Sequence, residues 1–398
     1  MLSDAVSVEG PRLRVAVVPE QFPRAAGDVA GVFVRDYIEA IRRHCDVVVV
    51  LPGSDRRSGV RRHAWEDDGV EYVTCTPALR DGGALRQRMG RLEVLYRVGQ
   101  AAPLLRGVDL IHAHGAIFHG LPAARLGKHL RLPVVLTIHT GPFEKLLRRR
   151  TTRFLTRRTL ERVDCVCPVS DDVRRRIEHA GIRPMRFEVT YNPVDTDLFR
   201  PSPTLRPANR RIAYAGRLEE YKGGLRVAQA FASIAARLPD WTLTIAGEGP
   251  ERHAIRTFID ATPALNGRVE LPGAFTKVQF ADLLASSDFF VYPSRHESFG
   301  LVIAEAMSAG LPVVAPDRGG PAEFVDRRSG VLVPPNDVAA IANSMEYIAL
   351  HSSRFDRDAI RQTVVDRFGF EVFGKRLLEL YRSLIPSASP HGDRSCAD

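Results

Sequence analysis

Two glutamates eight positions apart, in RHESFGLVIAEAMSAGLPVV, carry the clearest chemical signal in the chain. Glu297 stands just before a predicted helix, and Glu305 lies inside it among Leu301, Val302, Ile303, Ala304, Ala306 and Met307. A helix that is apolar almost all round is a buried one. A buried carboxylate without partners is costly, so Glu305 must find hydrogen-bond donors, and the vicinal hydroxyls of a ribose would serve. Ser298, Phe299, Gly300, Leu301 and Val302 begin this helix, whose unpaired N–H groups and dipole suit a phosphate, and Gly300 lets the ligand come close. The spacing describes phosphate at the helix tip with a hydroxyl pair a turn or so deeper; a core ion pair for Glu305 is the structural alternative.

Arg217 and Lys222, in GRLEEYKGG, follow the apolar run RIAYA. In a dry cleft two fixed cations stabilise the charge that develops on a departing diphosphate. Taken alone, such a pair is more often a surface feature. In open parallel sheets, ligands bind beyond the carboxyl ends of the strands, so residues directly after apolar runs are candidates. These include Gly216 after RIAYA, Gly247, Glu248 and Gly249 after WTLTIA, and His139, Thr140 and Gly141 after PVVLTI.

The elements that must position these residues follow a rhythm of short apolar runs alternating with longer amphipathic ones, as in RVAVV, DVVVVL, DLIHAH, PVVLTIH and DCVCPVS. Uniformly apolar strands are buried on both faces, so the rhythm predicts βαβ units with parallel sheets and helices on each side. It pauses at VTYNPVDTDLFRPSPTLRPANRR, punctuated by Pro193, Pro201, Pro203 and Pro207, which reads as an inter-domain linker. It restarts with RIAYAGRL, WTLTIAGEGP, RVELPGAF, DFFVYPS, PVVAPDRGG and GVLVPP. Two domains are expected, over 1–193 and 194–369, with a helix near 370–385 packing back on the first. The end, 386–398, has nothing to bury and is expected to be disordered.

A length of 398 residues agrees with two domains, and 44% hydrophobic with 26% charged residues is ordinary for a globular chain. No apolar run reaches the roughly 18 residues of a membrane span, and no secretory signal is visible, so a cytoplasmic protein is expected. Five scattered cysteines argue against a disulfide framework. Cys165 and Cys167, two apart in a strand, would face one side and read as core thiols rather than metal ligands. The net charge of +9 is concentrated in KLLRRRTTRFLTRRTLER, where Lys145, Arg148, Arg149, Arg150, Arg153, Arg157, Arg158 and Arg162 face Glu161 alone. An anionic membrane, a phosphorylated acceptor or nucleic acid would answer that charge, as would plain solvation. The surrounding sequence lacks the interleaved aromatics of a nucleic-acid surface, so no nucleic acid is expected.

Two decoys are set aside. Asp195-Thr196-Asp197 has the form of a metal-binding DxD, but lies in the linker. Gly247-Glu248-Gly249-Pro250 is half of a dinucleotide fingerprint, without its third glycine.

Taken in order, GRLEEYKGG, AGEGP, RVELPG, YPSRHESFGLVIAEAMSAGLPVVA and SGVLVPP, with TIHTGP, VDCVCPVSDDV and NPVDTDLF before them, resemble the retaining glycosyltransferases of family 4. The resemblance runs from the first strand to the last helix. It implies the GT-B fold, two Rossmann-like doubly wound domains with a donor cleft between them. It implies that Arg217 and Lys222 bind a diphosphate, Glu305 the ribose and Glu297 the donor sugar's hydroxyls. Phe299, Gly300 and Leu301 would complete the pocket and His139 would lie beside the transferred sugar, while His112, His114 and His119 read as structural. Gly27 stands where many relatives carry adjacent glycines, here separated from Gly31, and the segment around Arg268 and Val269 is the expected lining of the base.

The implied reaction moves a hexosyl group from a UDP- or GDP-sugar to a hydroxyl of a glycolipid or polysaccharide precursor, with a soluble acceptor as the alternative. Attack would come from the front face, with the leaving phosphate taking the acceptor's proton. Neither metal nor cofactor is required. The basic segment Arg148 to Arg158 would rest on the inner face of the plasma membrane.

Overall fold

The computed structural model describes residues 12–20, 22, 31–52, 59–64, 70–76, 105–201 and 210–386. Gly27 and the expected disordered end lie outside them, apart from residue 386 itself.

The first domain is built on β1 (Arg14–Val18), β2 (Asp46–Pro52), β3 (Gly59–Ala64), β4 (Glu71–Thr76), β5 (Leu110–His114), β6 (Val134–Ile138) and β7 (Cys165–Pro168). They lie in the order β3-β4-β2-β1-β5-β6-β7. Six run parallel, and β1, β5, β6 and β7 are buried almost throughout, as uniformly apolar strands should be. The departure from an all-parallel sheet is β3, antiparallel to β4 at the edge. Its sequence, GVRRHA, carries adjacent arginines where a central strand would be apolar, and an edge position leaves one side of the strand unpaired.

The second domain holds β8 (Arg211–Ala215), β9 (Thr242–Ala246), β10 (Val269–Gly273), β11 (Phe289–Val291), β12 (Val313–Pro316) and β13 (Gly330–Val333). Its order is β10-β9-β8-β11-β12-β13, parallel throughout. The order reverses between β8 and β11, so their loops part and leave a crevice at the carboxyl ends.

The chain crosses between domains twice, side by side: the N–H of Val194 donates to the carbonyl of Phe368 at 2.8 Å, and Val194 bridges Gly369. After the second crossing the helix Phe370–Leu384 lies on the helix Val32–Arg42, burying Phe373, Leu377 and Tyr381 against Tyr37, Ile38 and Ile41. At about 1.5–3 kcal/mol for each large apolar side chain removed from water, this contact holds the C-terminal helix to the first domain. Cys165 and Cys167 are buried in the same cluster, unoxidised.

The basic segment forms the helix Arg150–Leu160, which buries Thr156, Thr159 and Leu160 and leaves Phe154 59% exposed beneath the guanidinium of Arg158. Among the described residues no helix is long and apolar enough to cross a membrane.

Candidate functional site

The carboxyl ends of the two sheets meet across a cleft. Ser298, after β11, donates its hydroxyl to the carbonyl of His139, after β6, at 3.0 Å. The two lips of this cleft are built differently.

On the second-domain lip, the Nζ of Lys222 lies 2.6 Å from Oε1 of Glu297, with both side chains largely buried, at 14% and 12% exposure. The rings of Tyr221 and Tyr292 flank the ammonium at 5.3 and 5.5 Å. Low local dielectric strengthens such a pair, so two residues 75 positions apart become one preorganised unit. Arg217 differs. It is 68% exposed and paired with Glu219 and the hydroxyl of Tyr221. Gly216 and Gly247 lie at the ends of β8 and β9, Gly216 donating to the carbonyl of Ala246 and Gly247 to that of Gly273.

The helix Leu301–Ser308 begins at Gly300, whose φ of 95° is left-handed and whose added Cβ would stand 2.7 Å from the Pro321 ring. Only glycine fits there, and its placement leaves the helix's first N–H groups uncapped by any side chain. Glu305, one turn in, is 6% exposed. Among the described residues its carboxyl makes no hydrogen bond or ion pair, so the core ion pair is not formed. Burial pushes its carboxyl up to about 8, opposed by the Lys277 ammonium and reinforced by Asp36 and Asp195. A carboxyl so placed is poised to take hydroxyl donors.

The first-domain lip is neutral and only partly satisfied from within: among the described residues Nε2 of His114 and Nδ1 of His139 are buried without a hydrogen-bond partner. His112 and His114 alternate along β5 and so share a face. Nδ1 of His114 lies 2.8 Å from Nε2 of His139, and the rings of His112, His114 and His139 stack at 4.9 and 5.1 Å. His112 is held by the Tyr381 hydroxyl at 2.6 Å and by Thr137 at 2.7 Å, and Tyr37 sets its edge against all three imidazoles. Burial drives His112 and His139 down to about 3 and His114 well below its ordinary value. His139 is therefore neutral, and the Asn192 side chain beside it only partly offsets the burial. The partnership of His114 with His139 was not drawn from the sequence, although a His-x-His pair ending a buried strand carries the signal.

Val269 stands apart from these residues. It opens β10 at the amino end, and the guanidinium of Arg268 is spent on the carbonyls of Ala235, Leu238 and Trp241. A five-residue strand spans about 16 Å, so the β10 residue at the cleft end is Gly273, not Val269. The placement corrects the expected base lining, because a run of apolar letters does not show which of its ends faces the cleft. Asp195 accepts from the N–H of Leu198 and lies 3.6 Å from Lys277, which also pairs with Asp36 across the domains at 2.5 Å. Glu323, after β12, accepts from the N–H groups of Asp171 and Asp172 at 3.0 and 2.7 Å, capping a first-domain helix, Asp171–His179. This cross-domain clasp also lay beyond sequence reasoning.

Two family models match the chain, Glycosyltransferase Family 4 over residues 30–198 and Glycosyl transferases group 1 over 209–350. A GDP-mannose:cellobiosyl-diphosphopolyprenol alpha-mannosyltransferase of Xanthomonas campestris is 28% identical over 322 residues, 74% of this chain and 82% of its own. A GDP-mannose-dependent alpha-mannosyltransferase of Mycolicibacterium smegmatis is 29% identical over 346 residues, 81% and 84% of the two chains. Among solved structures, a sucrose-phosphate synthase from Thermosynechococcus elongatus superposes with a TM-score of 0.75 at 23% identity over 94% of this chain and 99% of that one. Anabaena HepE, solved in complex with UDP, gives 0.74 at 22% over 94% and 100%. Both share the GT-B fold.

Proposed function

The chain belongs to the group 1, family 4 glycosyltransferases, a hexosyltransferase of GT-B fold that uses nucleotide sugars, and on that premise we propose a donor site, a mechanism and an acceptor class. The donor is a UDP- or GDP-hexose, the reaction retains the anomeric configuration, and the acceptor is a hydroxyl of a glycolipid or cell-surface polysaccharide precursor.

The observation that carries this reading is the convergence of the Lys222–Glu297 pair, the uncapped helix tip at Gly300 and the unpartnered Glu305 on one lip of the cleft. The diphosphate sits against Lys222 and the N–H groups of the helix start, with Arg217 swinging in from the surface. Glu305 takes the ribose hydroxyls, and Glu297 accepts from hydroxyls of the hexose. Phe299, Gly300 and Leu301 close the pocket, and His139 borders the hexose from the other domain.

The bond from C1 to the phosphate oxygen breaks as the acceptor oxygen closes on C1 from the same face. The leaving phosphate oxygen takes the acceptor's proton, so no enzyme base is needed and none is supplied: His139 is neutral, with Nε2 committed to His114. Retaining glycosidases use two carboxyls about 5 Å apart, one as nucleophile. Here Glu297 is bound to Lys222 and Glu305 to the ribose, so the protein contributes positioning and charge rather than a covalent intermediate. Lys222 and Arg217 supply the charge a divalent metal would otherwise supply, so the reaction is proposed to need neither metal nor cofactor.

The curated relative that acts on a diphosphopolyprenol supports a lipid-linked acceptor, and the Arg148 to Arg158 segment with exposed Phe154 suits the anionic inner face of a membrane. On this reading the protein works in the cytoplasm against that surface.

The test is thermal stabilisation by UDP-, GDP- and ADP-sugars for the wild type and for Glu305→Ala. A ligand that binds only the folded chain raises its midpoint. One nucleotide sugar that stabilises the wild type and not the variant is the expected result; equal stabilisation of both would remove Glu305 from the site. Activity that depends on anionic vesicles would support the lipid acceptor, and full activity without them the soluble one.

A further inference from the structure

A small pocket spans the cleft and shares Glu297 and Ser298 with the donor lip, although neither Arg217 nor Lys222 lines it and Glu297 is spent on Lys222. The first domain contributes Thr140, Gly141 and Arg176, and the second Arg295, His296 and Arg318. Three arginines from two domains line this one small pocket, and each is paired with an acid. Hydroxyl recognition alone has no use for them, since carboxylates, amides and backbone groups bind neutral sugars.

Each guanidinium is tethered and each keeps donors to spare. Arg176 donates Nε to Asp172 and one amino group to Glu144, at 2.6 and 2.7 Å. Among the described residues Arg295 gives one amino group to Glu220 and its buried Nε has no partner, and Arg318 uses only Nε, on Asp317. Of these four acids only Asp172 lines the pocket; Glu144, Glu220 and Asp317 do not. The guanidinium fork carries five N–H groups, so the tethers orient the three arginines and leave N–H groups unspent.

Two titratable neighbours register the field. His296 is lowered, first by burial and then by Arg295, Arg176 and Lys145. Glu144 is lowered too: burial would raise it, but its own backbone N–H and Arg176 outweigh that. In both, positive charge is a contributing cause rather than the leading one: Arg295, Arg176 and Lys145 lower His296 beyond its burial, and Arg176 adds to the effect of the backbone N–H on Glu144.

We propose that this pocket is an oxyanion subsite of the transferase, taking a carboxylate or phosphate group carried on one of the two sugars that meet in the cleft. The inference rests on the reading of the cleft as the place of transfer and narrows its substrate class. The anion has two sources. A uronic acid would bring it on the donor hexose; a phosphorylated sugar or polyol would bring it on the acceptor. Planar two-oxygen edges of either group match the guanidinium fork.

The experiment uses the full chain and measures binding by calorimetry at low and at raised salt. The donor arm compares UDP-glucuronate with UDP-glucose, and the acceptor arm compares glucose 6-phosphate with glucose, with and without UDP. The expected result is that one anionic probe binds at least about tenfold more tightly than its neutral counterpart, and that the preference shrinks with salt and in Arg295→Gln and Arg318→Gln. The arm that shows the preference names the source. Equal binding of anionic and neutral probes in both arms overturns the proposal, as does a preference that survives both substitutions. Binding of UDP itself reports separately on the donor site, so loss of the donor reading shows as absent UDP binding while the sugar-phosphate arm still decides the subsite.

Discussion

The two lips of the cleft solve opposite problems. On the first-domain side, His112, His114 and His139 are buried, neutral and bonded to one another or to hydroxyls, a wall that shapes the space without charge. On the second-domain side, Lys222 and Glu297 are paired, while the buried Glu305 carboxyl makes no hydrogen bond or ion pair among the described residues. The wall carries no charge and is held by its own bonds, with one nitrogen each of His114 and His139 left over, whereas the Glu305 carboxyl is buried in a place that hydroxyl donors of a ligand would relieve.

The largest test of this contrast removes a charge from the second lip. Lys222→Met leaves Glu297 buried without its cation, and we expect kcat/KM to fall by about a thousandfold and stability by roughly 3 kcal/mol. Adding Glu297→Leu should restore the denaturation midpoint but not turnover, which steady-state kinetics and urea titration read separately. A Lys222→Met enzyme of normal rate and stability would erase the distinction between the lips.

The pH dependence of stability sharpens the contrast, because the lips carry opposite signs. Unfolding returns the three histidines to about 6.5, so the unfolded chain takes up protons that the native state refuses, and stability falls as pH drops below about 6.5. Glu305, at about 8 when folded against 4.5, holds a proton that the unfolded chain releases, so stability falls as pH rises from 4.5 to 8. Asp36, Asp288 and Glu323, also raised by burial, act in the sense of Glu305 just above their ordinary values. Each proton is worth about 1.4 kcal/mol per pH unit. Melting curves should therefore peak near pH 6.5, and Glu305→Gln should flatten the alkaline limb while leaving the acid limb in place; an unchanged alkaline limb would show that Glu305 is already solvated.

A smaller effect is expected within the wall. His114→Leu deprives His139 of its ring partner and should lower kcat about tenfold with little change in nucleotide affinity, and His114→Asn, whose amide can occupy the place of Nδ1, should recover most of it. A loss of nucleotide affinity instead would show that the wall and the charged lip act as one. The smallest is Glu323→Gln, which keeps an acceptor for the helix Asp171–His179 but drops the charge that its dipole favours. About 1 kcal/mol of the clasp should go, seen as a larger radius of gyration by solution scattering without a change in the melting of either domain.

Much of the plan was legible in the letters. Runs such as RIAYA and PVVLTI could only be buried parallel strands, and the apolar surroundings of Glu305 announced a carboxyl that would end up inside. The candidate His139 follows from its position directly after a strand, and Glu297 and Gly300 from the helix that they precede. Three features did not follow. Val269 was assigned to the cleft although its strand begins at the far end. His114 reads as structural, but the sequence does not show that its partner is His139. Lys222 and Glu297 were assigned separately although they form one pair.

What each residue can do and which element carries it are legible in the letters, because periodicity and the chemistry of side chains are local properties. Which of those residues act together is not. Pairing across 75 positions, the stacking of histidines from neighbouring strands, and the gathering of Arg176, Arg295 and Arg318 from two domains depend on how sheets are ordered and how the domains close, and contacts of that range are set by packing of the whole core rather than by any segment.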